Sequence, residues 1–144
     1  ISEKNCIKID FEEGIQIADF ITIHMPLNEE TKNLINKNCF LKMKKEAILV
    51  NTARGGIVNE KDLHWALKNK KIHAAGTDVF ETEPPDDNNP LFQLDNILMS
   101  PHNAALTLEC RKRMAIELAE NIIFYLESDN KLNKGNIVNL QKLD

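Results

Sequence analysis

The feature that most limits what this chain can fold into is an alternation: short apolar runs of strand length are separated by polar stretches with helical periodicity. Parallel strands are joined by helical crossovers and buried on both faces, so they read as near-continuous apolar runs, and the alternation predicts an α/β fold with a parallel sheet. The best-bounded runs are Phe20 to His24, Ala47 to Asn51, Ala74 to Phe80 and Ile97 to Ser100, and a weaker strand is expected from Cys6 to Ile9. Asp10 is placed to cap a short helix through Ile17. Asn59 is placed to cap Glu60 to Lys68, where Leu63, Ala66 and Leu67 share a face. From Thr107 to about Glu127, Met114, Leu118, Ile122 and Tyr125 recur at helical spacing, which predicts a long amphipathic helix. The polar segment Ser128 to Gly135 reads as a loop, and Ile137 with Val138 as a last short strand or extended arm.

A length of 144 residues suits one hydrophobic core, and 42% hydrophobic with 28% charged residues is ordinary globular usage. The net charge is −4 and the lysines are interspersed with acids, so no basic stripe points to nucleic acid or an anionic membrane. A small-molecule partner fits better. Cys6, Cys39 and Cys110 are odd in number and far apart, without Cys-x-x-Cys or His-Glu-x-x-His, which indicates neither a disulfide scaffold nor a zinc site. A reducing, cytoplasmic setting is expected, and no apolar run approaches the ~20 residues of a membrane helix. The chain opens on Ile1 rather than Met, and a fragment of a longer protein is expected.

In an open parallel sheet ligands bind beyond the carboxyl ends of the strands, so the residues following each apolar run are the ones to weigh. They are His24-Met25-Pro26, Thr52-Ala53-Arg54-Gly55-Gly56, Asp78 with Glu83-Pro84, and Pro101-His102. Arg54 precedes two glycines, where backbone can approach a ligand closely, and its planar fork suits a carboxylate. A loop arginine more often pairs with a surface acid; the glycines favour the ligand. His102 follows a strand end, and Glu83 lies in the loop after the neighbouring strand. A carboxylate bonded to one imidazole nitrogen fixes the tautomer and favours the charged ring, which makes a general acid–base. On spacing alone Glu81 is an equal candidate for that partner. His64 and His73 have no motif around them and read as structural or exposed, and Cys39 and Cys110, on helical stretches, as small hydrophobes.

Four segments in register resemble the D-isomer-specific 2-hydroxyacid dehydrogenase family, in the branch of phosphoglycerate dehydrogenases and hydroxypyruvate or glyoxylate reductases. They are Ala18 to Leu27 (ADFITIHMPL), Asn51 to Val58 (NTARGGIV), Asp78 to Pro84 (DVFETEP) and Ser100 to His102 (SPH). The resemblance runs from about Cys6 to Val138. It implies the second half of a Rossmann-type doubly wound parallel sheet, then a long helix and a C-terminal segment returning toward a substrate domain outside the chain. Residues 1–105 would belong to the NAD-binding domain and 106–144 to the crossover helix and substrate domain. It implies that Arg54 orients the substrate carboxylate, that His102 exchanges a proton with the substrate oxygen, and that Glu83, rather than Glu81, supports His102. It also implies NAD contacts from His24, Pro26, Thr52, Asp78 near the nicotinamide amide, and Asn103-Ala104-Ala105 beside the ring, with NADP left open. The substrate would be a small 2-hydroxy or 2-keto acid, with hydride passing between nicotinamide and C2, and the full-length protein a homodimer.

Some features depart from the family pattern. The chain has no Gly-x-Gly-x-x-Gly turn to seat a pyrophosphate and no acidic ribose partner after it. Glu46 stands where a glycine is frequent, and Asn103-Ala104-Ala105 replaces a glycine-containing run. Two other readings stand beside the enzyme: a dinucleotide-sensing module like the corepressors that resemble this family, and a catalytically inert fragment. Formate dehydrogenase is disfavoured, because an amide is expected there in place of the Glu83 carboxylate.

Overall fold

The computed structural model describes residues 6–127. They form α1 (Phe11–Ile17), β1 (Phe20–Ile23), α2 (Lys37–Lys42), β2 (Ile48–Asn51), α3 (Glu60–Lys68), β3 (Ala74–Thr77), a 3-10 turn (Pro90–Gln93), β4 (Ile97–Met99) and α4 (Leu108–Glu127). The four strands make one parallel sheet in the order β1-β2-β3-β4. Each strand lies beside the one before it, so all four carboxyl ends reach one edge of the sheet.

Register explains which residues are buried. The row Ile21, Leu49, Ala75 and Ile97 lies on one face. It packs into a core with Phe40 and Met43 from the α2 region and Leu63, Ala66 and Leu67 from α3. The row Phe20, Ile48 and Ala74, and the row Thr22, Val50, Gly76 and Leu98, lie on the other face. There Phe20 is 78% and Leu98 82% exposed.

Capping sets the helix starts as the side-chain chemistry dictates. Asp10 accepts from the Glu12 N–H, Asn36 from Asn38 and Asn59 from Asp62, each satisfying an orphan donor of a first turn. The α1, α3 and α4 expectations hold to within a residue.

Two expectations differ. Residues 6–10 form no strand; Ile7 is 86% exposed, and the segment pairs with no strand among the described residues. β3 ends at Thr77 instead of reaching Phe80, because the Thr77 hydroxyl donates to the Val79 carbonyl at 2.7 Å and bends the chain out of the ladder. The helical stretch expected around Cys39 is the six-residue α2, on which Cys39 lies buried. The segments 128–135 and 137–138 lie outside the described residues.

The chain divides into two compact units, residues 1–104 and 105–144. The sheet belongs to the first. The second holds α4, whose apolar residues Met114, Leu118 and Ile122 are exposed. Among the described residues no helix is long and apolar enough to cross a membrane, and no group of three His, Cys, Asp or Glu side chains is placed to hold a metal ion.

Candidate active site

The carboxyl edge of the sheet carries two linked constructions, one after β2 and one spanning β3 and β4. After β2, the buried Asn51 organises the turn: its Oδ1 accepts the Ala53 N–H at 3.1 Å, and its Nδ2 donates to the Arg54 carbonyl at 3.0 Å. Arg54 is thereby presented at the surface, its Nη1 donating to the Ala53 carbonyl at 2.7 Å. Among the described residues its guanidinium forms no ion pair.

After β3 and β4, Asp78 is the organiser. It is 3% exposed, and its carboxylate accepts three hydrogen bonds: Ser100 Oγ at 2.5 Å, and the backbone N–H groups of Asn103 and Ala104, each at 2.9 Å. Its own carbonyl accepts the His102 N–H at 2.8 Å. Three consecutive N–H groups thus converge on one residue. They hold His102 at φ 54°, a left-handed conformation that costs an L-residue roughly 1–2 kcal/mol. Burial pushes the Asp78 carboxyl up, but the bonds from Ser100, Ala104 and Asn103 and the nearby His102 outweigh it. The group titrates below the ordinary aspartate value.

His102 so placed meets Glu83: Nδ1 lies 2.8 Å from Glu83 Oε2. A carboxylate only accepts, so the proton sits on Nδ1, and Nε2 meets no hydrogen-bond partner among the described residues. The other Glu83 oxygen accepts the Phe80 N–H at 3.1 Å, which prevents the carboxylate from turning. The His102 hydrogen bond first, and the Phe80 N–H second, hold the Glu83 carboxyl below the usual glutamate range. The Glu83–Pro84 bond is cis. Beside the pair lies a cavity of about 360 Å³, with Phe80, Pro84, Phe92 and Met99 as its apolar wall.

Of the two acids open on spacing, Glu83 meets His102, while Glu81 turns to α3, accepting the Glu60 N–H at 2.9 Å. His24 Nε2 is 2.7 Å from Thr22 Oγ1, and the Pro26 carbonyl accepts from Thr31 Oγ1 at 2.7 Å. Thr52 is exposed at the end of β2, and Ala105 opens the second unit. Asn51 escaped the sequence reading as an organiser. Its signal was a polar residue closing an apolar run.

A Rossmann-like parallel sheet with a carboxylate–imidazole pair on its carboxyl edge defines the class: an α/β domain of the nucleotide-binding kind. The family model for the D-isomer specific 2-hydroxyacid dehydrogenase NAD binding domain matches residues 1–104, and the chain belongs to that family. It is 46% identical over 131 residues to a D-3-phosphoglycerate dehydrogenase of Methanocaldococcus jannaschii, covering 91% of this chain and 25% of that protein. With a hydroxypyruvate reductase of Thermotoga maritima it shares 44% over 116 residues, covering 79% and 38%. The solved NAD-complexed D-isomer specific 2-hydroxyacid dehydrogenase of Lactobacillus delbrueckii ssp. bulgaricus superposes with a TM-score of 0.76 at 28% identity, covering 83% of this chain and 40% of that one. The chain thus spans between a quarter and two-fifths of the length of these relatives.

Proposed function

We propose that this chain is the proton-transferring and carboxylate-binding part of an NAD-dependent oxidoreductase that interconverts a small D-2-hydroxy acid and its 2-keto acid. The observation that carries the reading is the 2.8 Å His102–Glu83 pair, held at the carboxyl edge of a parallel sheet. In the oxidising direction the free Nε2 of His102 takes the hydroxyl proton of the substrate as C2 gives up its hydride. In the reducing direction the protonated ring returns that proton to the developing alkoxide. Glu83 stabilises the imidazolium formed on the way. Arg54, which forms no ion pair among the described residues, binds the substrate carboxylate through its two-pronged fork.

NAD, when bound, supplies the hydride acceptor or donor. Thr52, exposed at the end of β2, supports a contact with the nicotinamide half of NAD, and Asn103, Ala104 and Ala105, which follow His102 in the chain, are assigned to the side of the ring. His24 and Pro26 are assigned to the same cofactor. For Asp78 the three accepted hydrogen bonds support a role in holding His102 together with any contact to the nicotinamide amide. Residues 106–144 are read as the crossover helix and a segment of the substrate domain, and the complete protein as a cytoplasmic homodimer.

The test is NADH oxidation by the full-length protein with hydroxypyruvate and with glyoxylate. Turnover is expected with at least one, and His102→Ala should lower kcat by roughly 10²–10⁴-fold. Cofactor binding without turnover on any 2-keto acid would replace this reading with a dinucleotide sensor.

A further inference from the structure

Glu81, which does not meet His102, takes part in a second construction. Its side chain accepts the Glu60 N–H, the first donor of α3, at 2.9 Å, and its own N–H donates back to Glu60 Oε1. The remaining oxygen of Glu60 accepts from Asn89 Nδ2 at 3.1 Å, and Asn89 caps the 3-10 turn through Leu91. One carboxylate at the start of α3 therefore ties down both ends of the loop from Glu81 to Asn89. The positive end of the α3 dipole makes two acids tolerable there.

That loop carries Glu83. Its other neighbour is the Arg54 turn: a Cβ on Gly55 would fall 1.7 Å from the Phe80 carbonyl oxygen, so the two backbones touch. The Phe80 residue stands between the two halves of the site. Its carbonyl abuts the residue after Arg54, and its N–H donates to Glu83.

We propose that Glu60 and Glu81 are positioning residues: their reciprocal hydrogen bonds press the 80–83 loop onto Gly55 and so set the Glu83–His102 pair relative to Arg54. The proposal rests on the oxidoreductase reading for its functional meaning, but its geometry can be tested without turnover.

Carboxyl-detected NMR titration of Glu83 in the 144-residue chain is that test. Removing a negative charge by Glu81→Ala or Glu60→Ala would, by Coulomb's law alone, make Glu83 titrate lower. Loss of positioning loosens its bonds to His102 and Phe80 and moves it higher, toward about 4.3. An upward shift is expected in both alanine variants, and none in Glu60→Gln, whose amide oxygen still accepts the Glu81 N–H. Glu60→Asp, one methylene short of its partner, should show a smaller upward shift and serves if the alanine variants do not fold. A downward or absent shift in the alanine variants, or in Glu60→Asp where those do not fold, overturns the proposal, as does an upward shift in Glu60→Gln. In the active full-length protein Glu81→Ala should lower kcat by roughly 10–100-fold, with KM for NADH within about twofold of wild type. If wild type has no activity but the NMR shifts appear, the functional reading fails and the positioning stands.

Discussion

At the scale of single residues the site is held by buried acceptors. Asp78 is the main one, because Ser100, Asn103 and Ala104 all donate to a carboxylate almost wholly withdrawn from water. Asp78→Asn replaces one acceptor oxygen with an NH2 donor facing those donors, and should destabilise the fold by about 2 kcal/mol at pH 7. The pH dependence follows from the lowered folded-state value. The wild-type stabilisation is complete above the unfolded aspartate value near 3.9 and is lost as pH falls through the lower folded value. Urea unfolding of both proteins should show their difference narrowing below about pH 4; a difference independent of pH would contradict the assignment. The motifs around Arg54, Glu83 and His102 were readable in sequence. The choice between Glu83 and Glu81 was not readable from spacing, because it depends on where α3 begins in space.

At the scale of elements, strand ends and loops carry the proposed site and helices hold them. The Arg54 turn and the Glu83 loop touch at Gly55, where a Cβ would overlap the Phe80 carbonyl at 1.7 Å. Gly76, within β3, would place its Cβ at an ordinary 3.8 Å from Val50. Gly55→Ala should therefore cost about 3 kcal/mol in chemical denaturation, and Gly76→Ala less than about 1 kcal/mol in either direction. Equal effects would mean that the two loops are free to separate. The four main strands and the long helix were legible because apolar runs and 3.6-residue periods survive without tertiary context. The expected strand at Cys6 to Ile9 failed because a strand needs a hydrogen-bonded neighbour, which local pattern does not reveal.

At the scale of the whole molecule, the chain holds the groups proposed for acid–base chemistry and carboxylate binding but no glycine-rich turn for a pyrophosphate. The 144-residue chain alone is expected to show no 2-keto-acid-dependent NADH oxidation and only weak NAD binding by calorimetry, whereas the full-length protein shows both. Turnover by the isolated chain would refute this. Local pattern and motif order in the sequence established the parallel α/β class, the family and the strand ends where the proposed site lies, and the family motif already favoured Glu83 as the partner of His102. The tertiary structure alone supplied the bond from Glu81 to the start of α3, the three consecutive N–H groups that Asp78 gathers to hold His102 at positive φ, and the contact of Gly55 with Phe80. Those facts are distances between residues up to 26 apart in the chain, fixed by the packing of β3, β4 and α3 around one core, and no local pattern encodes them.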